Sequence, residues 1–303
     1  MATAVENLSA TVRLADDAPA KVNLTLRVLG RRSDGYHELE SLVVFADFGD
    51  RLSFCRSSGL ALAVRGPSSA VAGAGDDNLV HKAARALAAR RPGLVLGAFD
   101  LDKRLPVAAG LGGGSSDAAA ALRLLAEANA IAPNDPDLYA AARATGADVP
   151  VCLDPRPRIM RGIGERLSAA LALPPLSAVL VNPGVALPTK AVFAGGKVAP
   201  GGAAPLDEMV LASLSNPRAL MDIVARQAND LEPPAIALQP SIAGVLGALR
   251  ERPGCSLARM SGSGATCFGL FSTPDEAVAA EQALSAQQPT WWVKATTFGG
   301  RRC

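Results

Sequence analysis

The chain has 303 residues, 49% of them hydrophobic, with 30 Lys+Arg against 28 Asp+Glu and a formal net charge of +2. That length allows one large domain or two ordinary ones with a substantial core, and the near-neutral balance leaves no basic patch dense enough to bind nucleic-acid polymers. Five cysteines without a CxxC pair and only two histidines speak against a disulfide framework or a zinc site, and fit a reducing, cytoplasmic setting.

The start, "MATAVENLSATVRLADD", has no basic residues leading into an apolar core, so no signal peptide is expected. In "AKVNLTLRVLG" (20–30), Val22, Leu24, Leu26 and Val28 share one face while Lys21, Asn23, Thr25 and Arg27 share the other, which predicts a half-buried strand. Its polar face either meets solvent or lines a cleft. Asp34-Gly35 predicts a turn, further β structure ends near Phe54, and "LALAV" (60–64) is a short strand. Arg31–Arg32 and Arg90–Arg91 read as solvated charges at a loop and a helix end. Residues 76–91 predict a helix with Asp76, Asp77 and Asn78 as cap candidates. A strand then leaves at Pro106, a glycine run follows, and helices are expected from about Ser116 to Asn129 and over 135–145.

Prolines in "DPRPR" and "LPPLS" put a domain boundary within about 155–177, giving an expected division into 1–165 and 166–303. The apolar stretch "LSAALALPPLSAVLVNPGVALP" is broken by prolines and a glycine and does not predict a membrane span. The second half reads as a strand (178–182), a helix from Thr189, a glycine-rich loop (195–203) and helices near 206–213, 217–228 and 240–251. It closes with a strand–glycine loop–strand in "SLARMSGSGATCFGLF", a helix in "TPDEAVAAEQALSA" and a last strand in "WWVKATTF". This order predicts an α+β fold with helices packed on a mainly antiparallel sheet.

"PVAAGLGGGSSDAAAALRLL" (106–125) sets a glycine- and serine-rich loop directly before an alanine-rich helix. Glycines let backbone N–H groups approach a ligand, and a helix start adds unpaired N–H groups and the positive end of its dipole. Together they suit a phosphate, with the Ser115 and Ser116 hydroxyls able to bind phosphate oxygens or a magnesium ion. No lysine follows the glycines as a P-loop requires, and the dinucleotide G-x-G-x-x-G spacing fails at Ser115. Protein-kinase signatures are missing too. An ordinary flexible turn is the plainer alternative. The second glycine loop, "SGSGAT" (261–266), is explained at least as well by a hairpin turn.

The loop at 106–116 closely resembles the P-x-x-x-G-L-G-G-G-S-S loop of the galactokinase, homoserine kinase, mevalonate kinase and phosphomevalonate kinase superfamily. "APAKVNLTLRVLGRRSDGYHELES", "DNLV", "LDKRLP", "TGADVPVCL", "NDLE" and "SGSGATCFGLF" follow the order seen in the 4-diphosphocytidyl-2-C-methyl-D-erythritol kinase family, and the resemblance runs from about residue 18 to 298. It implies two domains with the active site in the cleft between them: an N-terminal mixed-sheet ATP-binding domain and a C-terminal ferredoxin-like α/β sandwich. It implies transfer of the γ-phosphate of ATP, with Mg2+, to the 2-hydroxyl of a cytidine diphosphate sugar-alcohol in the non-mevalonate route to isopentenyl diphosphate. No nucleic-acid or membrane partner is expected, and the chain is expected to be a monomer or weak homodimer.

Carried over by motif, the resemblance makes Lys21 and Asp148 the catalytic pair. The loop Pro106, Val107, Ala108, Ala109, Gly110, Leu111, Gly112, Gly113, Gly114, Ser115 and Ser116 would bind the ATP phosphates, with Ser116 also a Mg2+ contact. Asn78, Leu79 and Lys103 would lie near the adenine and ribose. Asn23 would lie beside the acceptor, Tyr36 and His37 would hold the cytosine ring, and Thr189 and Phe193 would sit on the acceptor side. From the residues alone, Asp148 reads as a turn aspartate and Tyr36 as a structural tyrosine at a strand start. Glu165 of "GIGE" reads as structural.

Overall fold

A computed structural model describes residues 13–195 and 204–299; most of the glycine-rich segment expected over 195–203 lies outside them. The first half runs β1 (Leu14–Asn23), β2 (Arg27–Arg31), β3 (His37–Arg56), β4 (Ala61–Arg65), α1 (Ser69–Ala72), α2 (Leu79–Ala88), β5 (Gly97–Asp102), α3 (Gly113–Ala128), α4 (Pro136–Thr145), α5 (Val149–Cys152), β6 (Arg158–Gly162) and β7 (Arg166–Leu167). The second runs β8 (Leu176–Asn182), α6 (Thr189–Gly195), α7 (Glu208–Ala212), α8 (Pro217–Ala225), α9 (Glu232–Leu238), α10 (Ser241–Arg250), β9 (Cys255–Met260), β10 (Cys267–Phe271), α11 (Pro274–Gln287) and β11 (Trp292–Phe298).

The 20-residue β3 is the spine. Strands β1, β2, β5 and β6 pair antiparallel to it, and β4 adds parallel to β5. The division expected after residue 165 falls between β6 and β7, which pair with each other. Helices α2, α3 and α4 cover one face of this sheet, where Phe54, Phe99, Leu52 and Leu101 meet the fully buried Ala118–Ala121. Four small residues in a row bring α3 close to β1 and α2 without voids. The helix caps follow local chemistry: Asn78 accepts the Val80 N–H, Asp135 the Asp137 N–H, and Thr273 with Glu276 forms a capping box on α11.

In the second half, β8–α10–β9–β10–α11–β11 gives the strand order β11-β8-β10-β9, all antiparallel, which is the ferredoxin-like arrangement. Alternation along β8 sends Val179 and Val181 toward α10 and α11, and Ala178 and Leu180 toward α8. The two sheets join where Phe298 of β11 pairs with Ala46 of β3. The α+β, two-part architecture read from the sequence is the one observed.

The strand expected over 20–30 is different. It begins at Leu14, stops at Asn23 and resumes as β2. The break has a tertiary cause. Leu26 exchanges backbone hydrogen bonds with the second half, its N–H donating to Ala228 O (2.9 Å) and its carbonyl accepting from Asp230 N (2.8 Å). Thr25 Oγ1 accepts the Leu42 N–H at 3.1 Å and Ser41 Oγ donates to the Thr25 carbonyl at 2.5 Å, so side chains replace the missing ladder. Helix α9 was not anticipated; its two prolines sit in the first turn, where a missing N–H costs nothing.

Candidate active site

Lys21 leaves β1 just after a register shift between Pro19 and Lys21. The polar face of this strand is buried, not solvated: Lys21 is 4% exposed and Asn23 and Thr25 1% each. Its groups are hydrogen-bonded, as burial demands. Lys21 Nζ donates to Asp148 Oδ2 at 2.9 Å and to Asn23 Oδ1 at 3.1 Å, while Asn23 Nδ2 donates to Ser41 Oγ at 2.7 Å. Asp148, directly before the short α5, is one-third exposed and so faces the opening. Lys21 and Asp148 are brought together, and Asn23 lies beside them.

The glycine loop is fixed from both sides. The Lys21 N–H donates to Leu111 O (2.8 Å) and the Thr266 N–H to Ala109 O (3.1 Å); Ser261 Oγ donates to Gly110 O at 3.0 Å. Ala108, Gly110 and Gly112 take positive φ of 52°, 75° and 60°. Carbonyls therefore turn toward the protein. Helix α3 starts at Gly113, not near Ser116, so the glycines form its first turn and the N–H groups of Gly113, Gly114 and Ser115 have no intrahelical partner. A cavity of about 420 Å³ opens here, lined by Ala108, Ala109, Gly110, Gly112 to Ser115, Lys21, Asn23 and Asp148. This volume suits a small-molecule site.

Three expectations need correction. Ser116 does not face the cleft: it is 1% exposed and its hydroxyl donates to Pro19 O at 2.7 Å, so Ser115 presents the loop's hydroxyl and Ser116 is not a metal contact. Lys103 is 3% exposed and its ammonium is held by Asp50 Oδ2 (2.5 Å) and Asp117 Oδ2 (2.6 Å), behind the loop and away from the cavity lining. Asn78 is engaged as the α2 cap and donates to Gly73 O (2.8 Å). Leu79, beside it, packs against Gly114, where a Cβ would stand 3.3 Å from Leu79 Cδ1. Pro106, Val107 and Leu111 belong to the loop but not to the cavity wall; Leu111 is buried beneath it.

Two carboxylates facing one ammonium leave a negative charge that burial opposes. Burial pushes the Asp117 carboxyl up to about 8; the neighbouring Lys103 acts the other way, and Asp50 adds to the rise. The native state thus keeps a proton that the unfolded chain releases at the ordinary carboxylate value of about 3.9. Native proton binding exceeds unfolded, so stability falls as pH rises through this window toward 8. The unfolding midpoint is expected to decline between pH 6 and pH 9, and Asp117→Asn to flatten that slope. An equally steep decline in the variant would place the titrating group elsewhere.

The opposite wall comes from the second half. Thr189 and Phe193 on α6 and Gly262 and Ser263 of the β9–β10 loop line the same cavity, and Thr189 Oγ1 and Ser263 Oγ are 2.9 Å apart. His37 stacks on Phe193, ring centroids 5.1 Å apart. Tyr36, next to the Asp34–Gly35 turn, is 61% exposed and does not line the cavity. Glu165 binds the Ile163 N–H within its own turn, in keeping with a structural role.

Sequence reasoning undervalued "SGSGAT". It is a turn between β9 and β10, and it also closes the cleft: Ser261 Oγ accepts the Asn23 N–H at 3.1 Å while donating to Gly110. Asn229, in "NDLE", secures that turn through Met260 O and Gly262 O, both at 2.8 Å. The repeated small residues were the available signal.

Residues 78–154 match the GHMP kinases N terminal domain and residues 210–290 the GHMP kinases C terminal. The chain is 58% identical to the 4-diphosphocytidyl-2-C-methyl-D-erythritol kinase of Xanthobacter autotrophicus, over 92% of this chain and 97% of that protein. A crystal structure of a 4-(cytidine 5'-diphospho)-2C-methyl-D-erythritol kinase superposes with a TM-score of 0.77 at 38% identity, covering 95% of this chain and all of that one. Homoserine kinase from Cytophaga hutchinsonii shares the fold, with a TM-score of 0.70 at 19% identity over 98% of this chain and 96% of that one.

Proposed function

The chain belongs to the family of 4-diphosphocytidyl-2-C-methyl-D-erythritol kinases, and from that premise we propose how its cleft carries the reaction. The protein uses ATP to phosphorylate 4-diphosphocytidyl-2-C-methyl-D-erythritol in isoprenoid biosynthesis. The acceptor atom is the 2-hydroxyl and the setting is the cytoplasm. Among the described residues no helix is long and apolar enough to cross a membrane.

One observation carries the site assignment: the Lys21–Asp148 pair, 2.9 Å apart, opens into the same cavity as the first turn of α3. Phosphoryl transfer asks a protein for position and charge neutralisation more than for covalent chemistry. The N–H groups of Gly113, Gly114 and Ser115 and the positive end of α3 hold the ATP phosphates. Lys21 places its ammonium against the charge that develops on the transferring phosphoryl group. Asp148 accepts a hydrogen bond from the acceptor hydroxyl, aligns its oxygen with the phosphorus, and takes its proton as the bond forms. Asn23, fixed by Ser41 and Ser261, holds Lys21 in place. Phe193 and His37, with Tyr36 at the adjoining turn, form the aromatic side on which the cytosine ring rests.

Magnesium fits as a companion of the nucleotide. Asp148 is the only carboxylate on the cavity wall and is already paired with Lys21, and no group of three or more metal-binding side chains occurs among the described residues. Such a site suits an ion held by phosphate oxygens and water, not by a protein cage. When bound, it neutralises phosphate charge.

The test is ATP consumption with 4-diphosphocytidyl-2-C-methyl-D-erythritol, mevalonate and homoserine as acceptors. Turnover is expected only with the first. Equal turnover with mevalonate would overturn the acceptor assignment.

A further inference from the structure

Lys103, expected at the nucleotide, instead closes a buried knot behind the glycine loop. Its side chain is enclosed, and its main chain is fixed as well: its N–H donates to Arg65 O (2.8 Å) and its carbonyl accepts from Ser68 N (3.2 Å). The two carboxylates on its ammonium come from different elements. Asp50, on β3, also accepts the N–H groups of Arg104 (2.6 Å) and Leu105 (2.8 Å), the two residues that lead into the loop. Asp117 lies early in α3, the helix that leads out of it. One ammonium therefore ties the entry of the 106–116 loop to its exit.

The fit to the loop is close. A Cβ at position 113 would stand 3.1 Å from Lys103 Nζ. The lysine thus lies directly under the turn whose N–H groups point into the cavity, and glycine at that place gives it room. We propose that Lys103 is a positioning residue for ATP, which holds the glycine loop in its phosphate-binding shape by bridging Asp50 and Asp117, without touching the nucleotide through its side chain. Paired charges are suited to this task because a buried ammonium between two carboxylates has one geometry, whereas an apolar contact tolerates sliding.

The inference rests on the reading of the loop as the phosphate site, and the experiment separates the two. Hydrogen exchange on the full wild-type chain, with and without ATP, tests that reading: slowed exchange over 106–116 supports it, and unchanged exchange defeats it whatever Lys103 does. Steady-state kinetics then test Lys103. Lys103→Met, with folding checked by circular dichroism, is expected to raise the KM for ATP about tenfold or more while the KM for 4-diphosphocytidyl-2-C-methyl-D-erythritol stays within about twofold. Asp117→Ala is the second variant. It cuts only the tie to α3, leaves the Lys103–Asp50 pair charge-balanced, and is expected to raise the KM for ATP about fivefold, again without moving the acceptor KM. An ATP KM unchanged in folded Asp117→Ala, or equal rises in both KM values, would overturn the proposal and leave the triad as a stabilising element alone.

Discussion

Asp148→Asn is expected to cut kcat about a thousandfold, within the range for loss of a positioned proton acceptor, while ATP still binds. Asn is nearly isosteric, so Lys21 Nζ keeps an oxygen near the 2.9 Å contact it now makes with Asp148 Oδ2. What disappears is the negative oxygen that orients the acceptor hydroxyl and receives its proton. That interaction matters most as the new O–P bond forms, so kcat and kcat/KM should fall together, by about 4 kcal/mol of transition-state stabilisation. Lys21→Ala should lower kcat as well, because its ammonium meets charge that grows during transfer. A rise in KM alone would make Lys21 a ground-state binding group. Single-turnover measurement of both variants with saturating ATP decides the matter; near wild-type turnover in Asp148→Asn would remove Asp148 from the mechanism.

Much of this site was legible because local chemistry fixes it. Strand parity put Lys21 and Asn23 on one face, and both are within reach of Asp148. A glycine run before an alanine-rich helix signalled a phosphate-binding helix start, and α3 supplies that start. The failures share a cause, which is that direction depends on exact registry and on distant partners. Adjacent helical residues point about 100° apart, so starting α3 at Gly113 sends Ser115 to the cleft and Ser116 into the core. Lys103 looked available because the sequence does not announce that Asp50, far back on β3, meets it. The buried polar face of β1 and the break before β2 likewise depend on Ser261 and on the 228–230 turn, which reach the strand only once the second half is docked.

Gly110→Ala is expected to damage stability and catalysis together, and for a reason specific to this junction. Gly110 has φ of +75°, and an added Cβ would stand 2.5 Å from Ser261 O and 2.9 Å from Gly264 O. Both are backbone atoms, so no side-chain rotation relieves the overlap. The left-handed backbone costs about 1–2 kcal/mol for alanine. The overlap adds about 1–3 kcal/mol if the two loops part. Parting also breaks the Ser261 Oγ to Gly110 O bond, and the same hydroxyl holds the Asn23 N–H. The disturbance therefore runs into the Lys21–Asn23–Asp148 group, and kcat/KM should fall about tenfold or more, since small misplacements of reacting groups are costly. Gly93→Ala provides the comparison: its φ is +86° and nothing lies within 4 Å of the added Cβ. That variant should show the conformational cost in thermal unfolding with unchanged kinetics. If both variants lose equal stability and neither loses activity, contact between the two glycine loops does not set the geometry of the catalytic pair.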